Sequence, residues 1–147
     1  MKIAHGTVVM VADAKKFMLF RNEGDEEYPV LSTVAHEEIE NPPTHEQGSD
    51  RPGRSFSSTG ARRSSYAQTD WHDQAEQRFA RHVADMLQRT AEHSESKLVV
   101  IAPPRLLGEL RKHLHPTVTS RIAAEIPKDL VHHVTDDVVR AISAHSS

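Results

Sequence analysis

The apolar residues of this 147-residue chain change their period partway along, which restricts it to folds that combine strands with helices. Before residue 41 they come in short runs. Thr7-Val8-Val9-Met10-Val11-Ala12 is rich in β-branched side chains and short enough for a buried strand. Asp13-Ala14-Lys15-Lys16 supplies a polar turn, and Phe17-Met18-Leu19-Phe20 a second strand. Residues 22–26 carry turn chemistry ahead of a third strand over 30–39, where Leu31, Thr33 and Ala35 alternate with more polar positions. Strands with such short connections form an antiparallel meander.

After residue 69 the spacing becomes three and four. Trp71, Ala75, Phe79, Val83, Met86 and Leu87 predict a helix from a cap at Thr69 or Asp70 to about Glu92, with Asp73 and Glu76 near its positive end. Leu98-Val99-Val100-Ile101 predicts a buried strand. Pro103-Pro104 stops it and opens a helix with Leu106, Leu107, Leu110 and Leu114 on one face, and Pro116 ends that helix. Residues 122–126 predict a fifth strand, with a helical start over 116–121 left open as an alternative. Thr135 is placed to cap a last helix with Asp136 and Asp137 in its first turn, and Val134 to pack on Val139. The order β-β-β-α-β-α-β-α describes an α/β domain with a mixed five-stranded sheet and helices packed on it. That is the layout of ribonuclease-H-like domains, and the length suits one such domain over residues 1–147.

Residues 41–69 separate the two patterned halves and have no apolar periodicity of their own. The stretch reads as a long basic loop, and loops longer than about 12–15 residues are uncommon in compact domains unless functional or disordered. Arg51, Arg54, Arg62 and Arg63 lie there among glycines, prolines and serines, against Glu46 and Asp50. Residues 23–40 are the reverse: Glu23, Asp25, Glu26, Glu27, Glu37, Glu38 and Glu40 occur with no lysine or arginine. The whole chain nets -3, which conceals this asymmetry. Guanidinium groups donate in a fixed fork to phosphate, while Phe56 and Tyr66 can stack on bases, so the segment has the ingredients of an RNA contact. A disordered solvated linker has the same composition.

Other chemistry is weakly supported. No apolar run approaches the roughly 20 residues of a membrane helix, so no membrane span is expected. Residues 1–11 carry one lysine, are followed by Asp13, and lack a small-residue cleavage site. They read as a strand of the mature protein, and a cytoplasmic location is expected. The absence of cysteine removes disulfides and thiolate chemistry. A metal nuclease of this layout needs converging carboxylates; Asp13 and Glu76 are candidates, but the fourth strand ends in Ala102-Pro103-Pro104, where another carboxylate belongs. The eleven histidines are dispersed, with His132-His133 adjacent and none in the spacing of a zinc protease. No serine sits in a nucleophile elbow. No catalytic residue, metal or cofactor is therefore expected.

Three ordered strings carry a resemblance: Asp50-Arg51-Pro52-Gly53-Arg54-Ser55-Phe56, then Val99-Val100-Ile101-Ala102-Pro103-Pro104-Arg105-Leu106-Leu107-Gly108-Glu109-Leu110-Arg111, then Glu125-Ile126-Pro127-Lys128-Asp129-Leu130. Together they resemble the bacterial host attachment protein family over almost the whole chain. That family is similar in turn to the middle domain of archaeal and eukaryotic peptide release factors, whose topology is ribonuclease-H-like. Those factors carry Gly-Gly-Gln in the equivalent long loop; here Thr59-Gly60-Ala61-Arg62-Arg63 stands in that region, flanked by Gln47 and Gln68. The resemblance therefore implies a non-catalytic module associated with RNA or the ribosome. Its contacts are Arg51, Arg54, Phe56, Gly60, Arg62, Arg63 and Tyr66, with Arg105 and Lys128 as secondary ones. The alternative is a module that binds a protein partner and contributes to attachment to host cells. No particular oligomeric state is implied.

Overall fold

A computed structural model of the protein describes residues 1–39 and 57–145, with side chains described over 1–39 and 74–145. Strands β1 (Val8–Ala12), β2 (Lys16–Asn22) and β3 (Leu31–Glu38) form the antiparallel meander. Helix α1 (Ser57–His93) leads to β4 (Leu98–Ile101), which is followed by α2 (Pro104–His113), the short α3 (Pro116–Thr119), β5 (Ile122–Ile126) and α4 (Thr135–Ala144). The sheet has the order β3-β2-β1-β4-β5, with β1, β4 and β5 parallel. It is an α/β fold with a mixed, open, five-stranded sheet.

Period two along β1 splits the core. Val8, Met10 and Ala12 face Phe79, Ala80, Val83, Ala84 and Leu87 of α1 and the leucines of α2, whereas Val9 and Val11 face Ile3, Val138 and Ile142. Val99 and Ile101 of β4 join the second cluster and Leu98 and Val100 the first. Both faces of the central strands are therefore covered, and strands buried on two sides read as continuous apolar runs rather than alternating ones. In α2, Leu106, Leu107 and Leu110 are buried, and Pro104 occupies the first turn, where its missing N–H costs nothing.

Three local expectations change. Helix α1 begins at Ser57 rather than at Thr69 or Asp70. Residues 57–69 contain no proline and include Ala61, Arg62, Arg63, Ala67 and Gln68, all favourable in helices, so the lack of apolar spacing there reports the lack of a packing stripe, not of helicity. In α4, Thr135 is the first helical residue, the cap position is Val134, and no side chain caps it. Val134 is 66% exposed. His133 Nδ1 instead lies 3.0 Å from Asp137 Oδ2, and Asp136 and Asp137 complement the positive end of the helix as expected. The strand and the helix that competed for residues 116–126 both form, as α3 and β5 in succession.

Two polar residues fix the end of the sheet where β1 and β4 begin. Asn22 is fully buried; its Nδ2 donates to the carbonyls of Ile3 and Ala4 at 3.1 and 3.2 Å, and its Oδ1 accepts from the N–H groups of Gly24 and Val30 at 2.9 and 3.0 Å. It thus closes the connection from β2 to β3 and ties it to the N-terminal segment. Gly24 is required there because a Cβ would fall 2.0 Å from the Tyr28 carbonyl oxygen. Arg121 donates to the carbonyls of Ala91 and Ser96, capping the C-terminal carbonyls of α1 and joining them to the approach to β5. Farther along, Arg111 of α2 binds Glu125 of β5 at 2.5 Å, and that hydrogen bond and charge raise the guanidinium pKa above its usual value.

Candidate functional site

Strands β1, β3, β4 and β5 all finish at one end of the sheet, because β2 runs opposite to both β1 and β3. The chain leaves β1 there at Asp13, β3 at Ile39, β4 at Ala102 and β5 at Pro127. β1 pairs with β2 through an antiparallel hairpin and with β4 in parallel, and ligands of open α/β sheets bind outside the carboxyl ends of their strands.

The side chains at this end are charged and paired across elements. Asp13 Oδ1 accepts from the N–H groups of Lys15 and Lys16, each at 2.8 Å, which shapes the turn into β2, and Oδ2 lies 3.6 Å from His132 Nε2. Arg105, on the first turn of α2, reaches Glu76 of α1 with Nη2–Oε2 at 3.4 Å. His82 of α1 lies 2.7 Å from Glu37 of β3, with its ring centroid 6.0 Å from that of Phe17. Lys128 is exposed just after β5. One arginine and two histidines are thus matched with carboxylates across elements, and the Arg105–Glu76 pair lies at the surface, where an ion pair contributes only about 0–1 kcal/mol.

Of the residues that the sequence nominated, Arg105 and Lys128 are brought to this one end of the sheet. Gly60, Arg62, Arg63 and Tyr66 fall on the first part of α1, whose side chains are outside the described set, as is that of Trp71. Arg51, Arg54 and Phe56 lie outside the described residues altogether. Asp13 and Glu76, the carboxylates considered for metal, take different partners: His132 and backbone donors for the first, Arg105 for the second. Among the described residues no group of three or more histidine or carboxylate side chains is placed to hold a metal ion. The pairs Asp13–His132 and Glu37–His82 had no sequence signal, since each joins elements far apart in the chain.

The described cavities lie toward the other end. One of about 610 Å³ is lined by Lys2, Ile3, Glu26, Glu27, Pro29 and Ile142 among others, and one of about 310 Å³ by residues of β2, β3 and the end of α1.

Over residues 6–142 the chain matches the family described as bacterial archaeo-eukaryotic release factor family 12, and it belongs to that family. A 68-residue segment is 37% identical to the uncharacterized protein RP470 of Rickettsia prowazekii (strain Madrid E); it covers 44% of this chain and 45% of that protein. No helix among the described residues is long and apolar enough to cross a membrane.

Proposed function

We propose that this protein is a non-catalytic RNA- or ribosome-associated module of the cytoplasm, with the ribonuclease-H-like architecture of release-factor middle domains. The observation that supports it most is positional. The segment carrying Arg51 and Arg54 departs from the end of β3, at the same end of the sheet as Arg105 and Lys128, and leads into the first part of α1 with Arg62 and Arg63. Arg51, Arg54, Arg62 and Arg63 bind phosphates, Phe56 and Tyr66 stack on bases, and Gly60 stands where the backbone approaches the RNA. Arg105 joins them from the first turn of α2, where its side chain is 75% exposed and can donate a charge-assisted hydrogen bond to phosphate. Thr59-Gly60-Ala61 replaces Gly-Gly-Gln, so the module binds without hydrolysing peptidyl-tRNA.

The test is binding of the purified protein to ribosomes and to short single-stranded RNA at two salt concentrations, beside the variant with Arg51, Arg54, Arg62 and Arg63 all replaced by alanine. Three to four phosphate contacts give a log–log salt slope of roughly -2 to -4. Equal affinity of variant and parent would overturn the reading. The second reading, a protein-binding module that contributes to attachment of bacteria to host cells, is favoured by a different observation. The edge strand β3 and its approach expose Tyr28, Val30 and Val34 beside an acidic run, a surface better suited to a protein than to RNA. Absence of RNA binding at low salt, with retention of a protein partner through β3, would move the assignment there.

A further inference from the structure

Pairing between β2 and β3 slips by one residue: Leu19 faces Ala35 while Phe20 faces Thr33, so Val34 is the extra residue of a β-bulge on the edge strand. Bulges re-aim a side chain, and Val34, 60% exposed, lines the cavity of about 310 Å³ between β2, β3 and the last turns of α1. Val8 and Leu19, both nearly fully buried, complete an apolar floor. The polar lining is of one kind. Arg21, Arg89 and His93 lie around the floor with Thr90, Ser94 and Ser96, and among the described residues no aspartate or glutamate lines it.

The two guanidiniums are available for an anion. Arg21 Nε stands 3.7 Å from Glu23 Oε1 in an exposed contact, and Arg21 and Ser96 both line the cavity. Among the described residues no carboxylate pairs with Arg89. The negative C-terminal end of α1, which would repel an anion, is answered by Arg121 on the Ala91 and Ser96 carbonyls. The volume is at the small end of the roughly 300–1,000 Å³ typical of ligand sites.

From this pairing of an apolar floor with a cationic rim, we infer that the cavity is a binding site for a small amphipathic carboxylate, a free medium-chain alkanoate. The alkyl chain lies over Val8, Leu19 and Val34, and the carboxylate is held by Arg21 and Arg89. The site is at the end of the sheet opposite Asp13, Arg105 and Lys128, and it stands or falls independently of the RNA reading.

Calorimetric titration of the full chain with octanoate, 1-octanol and acetate tests it. The expected result is saturable octanoate binding with Kd below about 1 mM and at least about tenfold weaker binding of the other two, which lack the charge or the chain. Arg21→Ala combined with Arg89→Ala, both at exposed positions, weakens octanoate by about tenfold with an unchanged circular dichroism spectrum. Val34→Glu, at the exposed bulge, abolishes binding by placing a like charge in the cavity. Octanol binding as well as octanoate, no saturation up to about 10 mM, or parental affinity in both variants would each overturn the inference.

Discussion

The two ends of the sheet handle polar groups in opposite ways. Where β1 and β4 begin, Asn22 is wholly buried with both ends of its amide satisfied, and Arg121 donates to the backbone carbonyls of Ala91 and Ser96. Where those strands finish, Arg105 and His132 hold their carboxylate partners with side chains 75% and 68% exposed. The first arrangement is costly to disturb, because a buried donor left alone keeps its full desolvation penalty. The second is cheap to exchange, since each exposed pair can be replaced by water or by a ligand group. Polar residues at one end hold the fold, and those at the other form exposed pairs that contribute little to it.

That contrast can be broken by mutation, and the largest effect is expected at Asn22. Asn22→Ala should lower unfolding free energy by about 3 kcal/mol, measured by urea denaturation, since it strands donors and acceptors of three chain segments. A loss below about 0.5 kcal/mol would end the distinction between the two ends. Gly24→Ala should follow with about 2 kcal/mol, because the new methyl meets the Tyr28 carbonyl and the Val30 nitrogen and the connection must reshape. Arg121→Ala should cost about 1.5 kcal/mol. Arg121→Lys should recover only part of it, as an ammonium lacks the fork that reaches both Ala91 and Ser96. The smallest effect on stability belongs to the strand-end face: Arg105→Ala with Lys128→Ala should stay within about 0.5 kcal/mol. The same double variant should nevertheless reduce the salt slope of RNA binding by about 1–2, read from affinities at several salt concentrations. An unchanged slope would remove these two residues from the proposed interface.

Much of the fold was legible in the residues. The β-branched run at 7–12, the leucines after Pro104 and the three-and-four spacing around Phe79 and Val83 each located an element, because burial on one or both faces leaves a spacing that the chain cannot hide. Capping was read less well. Val134 and Thr135 looked like a staple and a cap, yet His133 and Asp137 make the local contact, since which nearby polar group reaches a helix end depends on how the entering chain is turned. The start of α1 at Ser57 was hidden for another reason: intrinsic helix preference without an apolar stripe leaves no periodic trace. Of the candidate site, Arg105 and Lys128 were nominated from motifs, but their sharing one end of the sheet follows only from the parallel alignment of β4 and β5.

By itself the sequence determined the kinds of element, their order, and which side chains share a face, for these are consequences of spacing between neighbours along the chain. Tertiary structure alone decided that β1 lies between β2 and β4, that Asn22 joins three segments, that Asp13 meets His132, and that a bulge turns Val34 toward Arg21 and Arg89. Each of these joins residues distant in sequence. Such contacts form when closing the intervening chain is outweighed by burial and hydrogen bonding at the junction, and that balance is a property of the assembled fold rather than of any local stretch.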